Sequence, residues 1–108
     1  MERTSFSEAN LREADLTEAN LTDAVLAKAN LFQATLKRAR LNRADLSRAD
    51  LQNSNLVQAL LIEAYLARAD FRQADLSEAN LSQAELSSAD FSRARLSGAV
   101  LPDGSISE

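Results

Sequence analysis

The sequence predicts an all-β solenoid, because a five-residue unit repeats along it without interruption. From residue 6 to residue 106, 17 of the 21 positions spaced five apart are Leu. The exceptions are Phe6, Phe71, Phe91 and Ile106. In the series two residues earlier, from residue 9 to residue 99, Ala fills 18 of 19 sites, and Ser54 is the exception. Asn and Asp are frequent between the two series, so the unit is A-(D/N)-L-x-x.

The period of five excludes simpler arrangements. Ala, Leu, Glu, Arg and Gln favour helices, but five residues advance an α-helix by about 140° beyond a full turn and would spread Leu around the whole surface. In a flat strand, Ala14 and Leu16 would share one face, whereas Ala19 and Leu21 would lie on the other. A short extended side followed by a corner keeps every Ala and Leu inside. We expect Asn and Asp to bond to the nearby backbone and to adopt the unusual corner dihedrals.

Units such as Ala9-Asn10-Leu11-Arg12-Glu13 resemble those of pentapeptide-repeat proteins, and the resemblance runs from Thr4 to Glu108. It implies a right-handed quadrilateral parallel β-helix of about five coils, with four pentapeptides per coil. Residues 1–108 are then a single domain with repeats from about residue 4 to residue 108. The segment 101–104, with the sequence LPDG, is similar to the endings of members from photosynthetic bacteria.

Charge does not settle the number of sides. A coil of twenty residues opposes Glu18 to Arg38 and Asp23 to Arg43, and gives four attractive pairs against two repulsive ones. A coil of fifteen residues gives five against three, so the four-sided form rests on the resemblance. With strands about 4.8 Å apart, it predicts a rod roughly 25 Å long.

Composition excludes several kinds of site. The chain has no Cys and no His, which removes disulfides, thiolate metal sites and the commonest general base. A tube filled by Leu and Ala has no interior pocket, so we expect no catalytic residues, no cofactor and no metal. A net charge of −4 argues against direct nucleic-acid binding. The longest apolar runs are four residues, so we expect no membrane contact, no signal peptide and a cytoplasmic location.

Four outward positions carry apolar side chains where polar ones are usual: Val57, Leu60, Ile62 and Tyr65. This apolar belt predicts a docking patch for a protein partner, with Tyr65 as its anchor. The alternative is ordinary scattered surface hydrophobes. Phe32 either extends the belt or stands alone, and we expect Ser54 to bond to the backbone.

Charge is banded along the chain. Residues 1–23 carry a net charge of −4, residues 28–48 a net charge of +5, and residues 49–108 a net charge of −5. The middle band predicts a basic collar for an acidic partner, and the alternative is a wall of salt bridges to the preceding coil. The collar residues are Lys37, Arg38, Arg40 and Arg43.

These features predict a non-enzymatic rigid scaffold whose flat walls bind an unknown protein partner. The resemblance implies one alternative, since a branch of the family mimics duplex DNA and inhibits DNA gyrase. Those members are usually longer and acidic, whereas here an uninterrupted acidic wall is confined to the column Asn10, Asn30, Asp50, Asp70 and Asp90. A second alternative is a structural module without a dedicated partner.

Open backbone edges also predict end-to-end self-association, with Phe6 and Ile106 closing the two ends.

Overall fold

The computed structural model describes residues 4–108, in which the backbone conformation repeats every five residues. These residues form no α-helix and no strand longer than a single bridge residue. From residue 6 to residue 100, each pentapeptide contributes one bridge residue and one two-residue turn. In this part of the chain, therefore, no helix has the length and apolar character needed to cross a membrane.

Parallel β-bridges hold the chain together, and each joins residues twenty positions apart. The series begins with the pair Ser5 and Val25 and ends with the pair Asn80 and Val100, without a change of register. Four pentapeptides therefore make one circuit, the name used below for each twenty-residue turn of the chain. This period decides between the two spacings that the charge pattern leaves open.

Each circuit both donates to and accepts from its neighbours through the backbone. The Leu31 N–H donates to the Asp50 carbonyl at 2.7 Å, and the Gln33 N–H donates to the Gln52 carbonyl at 3.0 Å. In return, the Asp50 N–H donates to the Ala29 carbonyl at 3.0 Å. The same three bonds recur along the inner circuits, so the backbone of each inner circuit is tied to both of its neighbours.

The two residues after each Leu form a tight turn, closed by a bond such as that from the Ala29 N–H to the Leu26 carbonyl at 3.0 Å. The second turn residue has a positive φ, which is 60° at Lys28 and lies between 57° and 64° at 18 non-glycine positions. A positive φ at this position alone is typical of a type II turn, which favours Gly. The unusual dihedrals therefore lie here, and our prediction that the Asn/Asp position of the repeat adopts them is wrong.

Asn and Asp instead lie on the β-bridge and fix the turn that follows. The Asn30 Oδ1 accepts the Phe32 N–H at 3.1 Å, and the Asp45 Oδ1 accepts the Ser47 N–H at 3.0 Å and the Ser47 hydroxyl at 2.7 Å. The expected bonding of these side chains to the nearby backbone is thus confirmed.

Leu and Ala fill the interior. From Leu26 to Leu81, every side chain of the five-residue series is fully buried. Ser54 is also buried, and its hydroxyl donates to the Leu51 carbonyl at 2.6 Å, as expected. The molecule measures 33 × 26 × 26 Å, which makes it longer than the predicted 25 Å.

The chain turns back at its C-terminal end instead of starting a new circuit. Val100 and Ile106 form an antiparallel bridge, which defines a C-terminal hairpin of residues 100–107. The reversal leaves Ile106 60% exposed, so the prediction that Ile106 closes this end is wrong. At the other end, Phe6 is half-buried and packs against the core.

Candidate functional site

The apolar belt occupies three consecutive pentapeptides. Leu60 and Ile62 flank the fully buried Leu61, whereas Val57 is a turn residue of the preceding unit. Val57, Leu60 and Ile62 are half-buried, because each stands between residues of the circuits before and after it. Tyr65 is 53% exposed and is the belt residue most open to a partner.

Tyr65 borders a shallow groove of about 350 Å³, named the Tyr65 groove. Its other lining residues are Arg43, Glu63, Ala64, Gln83 and Glu85. The Ser87 hydroxyl and the Ser87 N–H both donate to the Glu85 carboxylate, and these bonds lower the pKa of Glu85. Glu85 is therefore charged at neutral pH, and the groove offers an aromatic ring between groups of both signs.

Two of the four collar residues form ion pairs across one circuit. The Arg38 Nε lies 3.0 Å from the Glu18 carboxylate, and the Arg43 Nε lies 2.9 Å from the Asp23 carboxylate. The hydrogen bond to Asp23, together with its negative charge, raises the pKa of Arg43. Among residues 4–108, no ion pair involves the other two collar residues, Lys37 and Arg40.

The belt and the collar lie on adjacent circuits, which the sequence alone does not show. Arg40 forms a β-bridge with Leu60, and Lys37 stands twenty residues before Val57 in the same turn position. The two collar residues without ion pairs thus stand one circuit before Val57 and Leu60. Arg43, in turn, lines the groove beside Tyr65.

The negative charge of the acidic column is partly compensated by a neighbouring arginine. Asp50, Asp70 and Asp90 are joined by successive β-bridges. Arg72 donates to both oxygens of Asp70, at 2.9 and 2.7 Å, and its Nε lies 3.8 Å from Asp90. The bond from Arg72 lowers the pKa of Asp70. Sequence reasoning missed Arg72 because it compared residues within one column, whereas Arg72 reaches in from the neighbouring turn.

Phe32 stands apart from the belt. The Arg12 guanidinium carbon lies 4.7 Å from the centre of the Phe32 ring, in a cation–π contact across one circuit. Arg12 covers a face of the ring, and Phe32 is half-buried. Of the two alternatives, the structure therefore favours a Phe32 that packs within the chain.

A second shallow groove of about 270 Å³ lies beside Arg72 and is also lined by Gln52, Gln73, Ser92 and Arg93. Neither groove is an enclosed cavity of the kind that surrounds a small-molecule ligand. Across residues 4–108, no group of three or more acidic side chains lies close enough together to hold a metal ion.

Comparison with protein families gives a match to pentapeptide repeats, in eight copies. The matched segments are residues 4–43, 24–61, 39–77 and 64–101. Comparison with curated protein sequences gives no match.

Several solved structures are similar to this chain. One of them is HetL, a pentapeptide repeat protein involved in heterocyst differentiation regulation from the cyanobacterium Nostoc sp. strain PCC 7120. HetL is 26% identical to this chain with a TM-score of 0.54, and the similarity covers 95% of this chain and 78% of HetL. Another pentapeptide repeat protein from Nostoc is 33% identical with a TM-score of 0.58, over 90% of this chain and 68% of that protein. A third, from the thylakoid lumen of Arabidopsis thaliana, is 23% identical with a TM-score of 0.72, over 97% of this chain and 70% of that protein. The third likeness concerns the fold alone.

Proposed function

Because the chain belongs to the pentapeptide repeat family, we propose that it is a right-handed quadrilateral β-helix that serves as a non-enzymatic scaffold for a protein partner. Proteins of this family are generally structural or interaction modules. Four turns per circuit, a constant parallel register and two equal dimensions of 26 Å support a four-sided rod. A rod of this kind presents its turns and bridge residues as walls.

The observation that carries the proposal is the exposure of Tyr65 on a rigid part of the wall. Its backbone forms β-bridges to Asp45 and to Glu85, so its position is fixed from both sides. Tyr combines a large apolar ring with a polar hydroxyl and is frequent among residues that dominate binding energy. A side chain held on an ordered backbone loses little freedom on binding, which favours affinity.

The neighbours of the belt indicate the chemistry of the partner. Lys37 and Arg40 lie one circuit before Val57 and Leu60, and neither is part of an ion pair within residues 4–108. The surface therefore places basic groups along one side of an apolar strip. We infer a partner segment in which apolar side chains stand next to acidic ones, because opposite charges set the orientation of docking.

Affinity capture from a lysate of the source organism tests this proposal. The bait chains are wild type, a Leu60→Ser, Tyr65→Ser double variant and an Ile106→Ser control, which alters the other large exposed hydrophobic residue among those described. We expect wild type and the control to retain the same partner and the double variant to lose it. Retention by the double variant, with its fold intact, would contradict docking on the belt.

A Lys37→Glu, Arg40→Glu variant tests the charge component separately. We expect it to weaken capture at low salt and to differ little from wild type at high salt, because exposed charges are screened. The same loss at every salt concentration would mean that the two residues do not act through charge.

Mimicry of DNA remains the alternative that these residues favour least. The basic collar interrupts an acidic surface, and Arg72 offsets the charge of Asp70 in the acidic column. Recovery of DNA gyrase by both wild type and the belt variant would favour the mimicry alternative. Recovery of no protein by any form would favour a structural module.

A further inference from the structure

Three basic residues stand in one row along the rod, and we name them the basic stripe: Lys28, Arg48 and Arg68. Each is the second turn residue of its pentapeptide, and each stands twenty residues from the next. The Lys28 N–H donates to the Ser47 carbonyl and the Arg48 N–H donates to the Ala67 carbonyl, both at 2.9 Å. The stripe therefore crosses three successive circuits, and with circuits about 4.8 Å apart it spans roughly 10 Å.

The other rows at this turn position hold opposite charges or uncharged groups. In one row Arg38 pairs with Glu18, and in another Arg43 pairs with Asp23. The inner residues of the third row are uncharged amides: Gln33, Asn53 and Gln73. Among residues 4–108, the basic stripe is the one row at this position in which like charges occupy neighbouring circuits. Like charges on neighbouring strands are destabilising, so the stripe does not serve the fold.

The charge of the basic stripe is not compensated within the described chain. All three side chains are exposed, and no ion pair in residues 4–108 involves any of them. Asp50 lies two residues after Arg48, but it accepts the Gln52 N–H at 3.0 Å and the Gln52 amide at 3.1 Å. Asp70 is likewise held by Arg72, at 2.7 Å. The stripe is therefore open to an anion from outside the chain.

A lane of small side chains runs beside the basic stripe. The residues that precede the three stripe residues are Ala27, Ser47 and Ala67. At the first turn position of other sides, larger side chains occur, such as those of Phe32 and Ile62. An extended segment of another chain therefore has room to lie along this lane, parallel to the axis of the rod.

The other edge of the lane is formed by bridge residues of the same pentapeptides: Val25, Asp45 and Tyr65. Tyr65 is 53% exposed. Asp45 directs its carboxylate to Ser47, whose N–H and hydroxyl it accepts at 3.0 and 2.7 Å. We name residues 25–28, 45–48 and 65–68 the Tyr65 wall. With three basic groups and one carboxylate, its net charge is +2.

We propose that the lane binds an extended acidic segment of a protein partner. Its acidic side chains face the basic stripe, and the side chains between them face Val25 and Tyr65. In an extended chain successive side chains point to opposite sides, and every second one recurs after about 7 Å, so two such acidic residues fit within the stripe. The inference rests on the proposed scaffold function, because Tyr65 belongs to both the apolar belt and the Tyr65 wall.

Fluorescence anisotropy with a labelled Glu-Val-Glu-Val-Glu-Val peptide at low salt tests the proposal. We expect Arg48→Glu to weaken binding about tenfold, because a central attraction becomes a repulsion. Arg93→Glu is the matched control, since Arg93 is exposed at the same turn position with the same φ of 60° and follows the uncharged Gln73 by one circuit. Glu13 has this φ as well, so both variants should fold. Equal weakening by both variants, or no binding by wild type, would overturn the proposal.

The order of the peptide distinguishes an extended segment from a diffuse attraction. A Glu-Glu-Glu-Val-Val-Val peptide has the same composition and charge, and we expect it to bind wild type several-fold more weakly. If both peptides bound equally, alternation would play no part and the proposed arrangement would be wrong. Tighter binding of a single-stranded oligonucleotide of equal charge would assign the stripe to nucleic acid and likewise contradict the proposal.

Urea denaturation at low salt checks that the basic stripe does not serve the fold. Arg48→Gln should raise the urea midpoint, because it removes the repulsion of Arg48 from both neighbours. Arg93→Gln should leave the midpoint unchanged. A lower midpoint for Arg48→Gln than for wild type would mean that the stripe stabilises the chain, and it would overturn the proposal.

Capture from a lysate separates this inference from the proposed scaffold function. A Leu60→Ser, Ile62→Ser variant changes the apolar belt and leaves the Tyr65 wall intact. We expect both this variant and Arg48→Glu to lose the partner. Loss by the belt variant with full retention by Arg48→Glu would support the scaffold function and overturn the acidic segment. Retention by the belt variant with loss by Arg48→Glu would instead contradict docking on the belt and support the stripe.

Discussion

The inner circuits and the end circuits use the same five-residue unit but bury it to different extents. Ala44-Asp45-Leu46 and Ala14-Asp15-Leu16 are identical in sequence. Leu46 is fully buried, whereas Leu16 is half-buried and packs against the core from outside the buried cluster. The unit therefore specifies the conformation, and the neighbouring circuits provide the burial.

The largest expected effect comes from removing core volume in the middle of the chain. Leu56 is fully buried, so Leu56→Ala should lower the free energy of unfolding by about 2–5 kcal/mol. Leu16→Ala should cost clearly less, roughly 1–2 kcal/mol, because the half-buried side chain leaves a smaller cavity. Urea denaturation of both variants measures the difference. Equal costs would mean that the end circuits are packed as tightly as the inner ones.

The same comparison explains what the sequence can and cannot predict about the fold. The inward Leu and Ala, and the bonded hydroxyl of Ser54, follow from the repeat, because a one-residue shift would expose the whole series. The number of sides does not follow from charge, since exposed pairs such as Arg38 and Glu18 contribute only about 0–1 kcal/mol and constrain the register weakly. The positive φ falls on residues such as Lys28 because turn geometry imposes it, whatever the residue's own preference.

For the candidate site, the sequence predicts which residues take part but not how exposed they are or which of them become neighbours. The repeat identifies Val57 and Tyr65 equally as apolar residues at outward positions. Their different exposure depends on side chains twenty residues away, which a local pattern does not include. The contact of Arg72 with Asp70 and the placement of Arg40 beside Leu60 likewise depend on which turns become neighbours after folding.

The free-energy cost of a substitution in a turn should depend less on its position along the chain than the cost of a substitution in the core. Gln58 and Glu13 have φ values of 61° and 60°, although one lies in the middle and the other near the end. A β-branched residue is strained in this region, so Gln58→Val and Glu13→Val should each cost about 1–3 kcal/mol. Gln52→Val is the matched control, because it changes the first turn residue, where φ is negative, and should cost less than about 0.5 kcal/mol. Chemical denaturation of the three variants checks this, and a costly control would assign the loss to the turn side chains rather than to φ.

One pair of aromatic residues couples the two regions directly. Phe71 is fully buried in the inner part and stacks on the half-buried Phe91, with ring centres 4.9 Å apart and planes within 2°. In a double-mutant cycle of Phe71→Leu and Phe91→Leu, we expect a coupling of about 0.5–1.5 kcal/mol. Phe6→Leu combined with Phe71→Leu should be additive, because Phe6 lies several circuits away. A coupling of similar size in this control cycle would mean that the effect spreads through the core and does not come from the stack.

The smallest expected effect concerns the charge of the wall. The hydrogen bond from Arg72 lowers the pKa of Asp70 in the folded chain, so Asp70 stabilises the fold above its unfolded pKa of about 3.9. That contribution is lost as the pH falls through the lower, folded pKa. Because Arg72 is 50% exposed, solvent screening should limit the contribution to about 0–1 kcal/mol.

Arg72→Gln should therefore lower the urea midpoint at pH 7 and have no effect once the pH is below the folded pKa of Asp70. Arg68→Gln is the control, since Arg68 is exposed and forms no ion pair among the described residues. A loss for Arg72→Gln that stays constant down to the lowest pH would mean that the Arg72 side chain stabilises the wall by packing. In that case the charge of Asp70 would remain available to a partner, and the case against an acidic recognition surface on this wall would weaken.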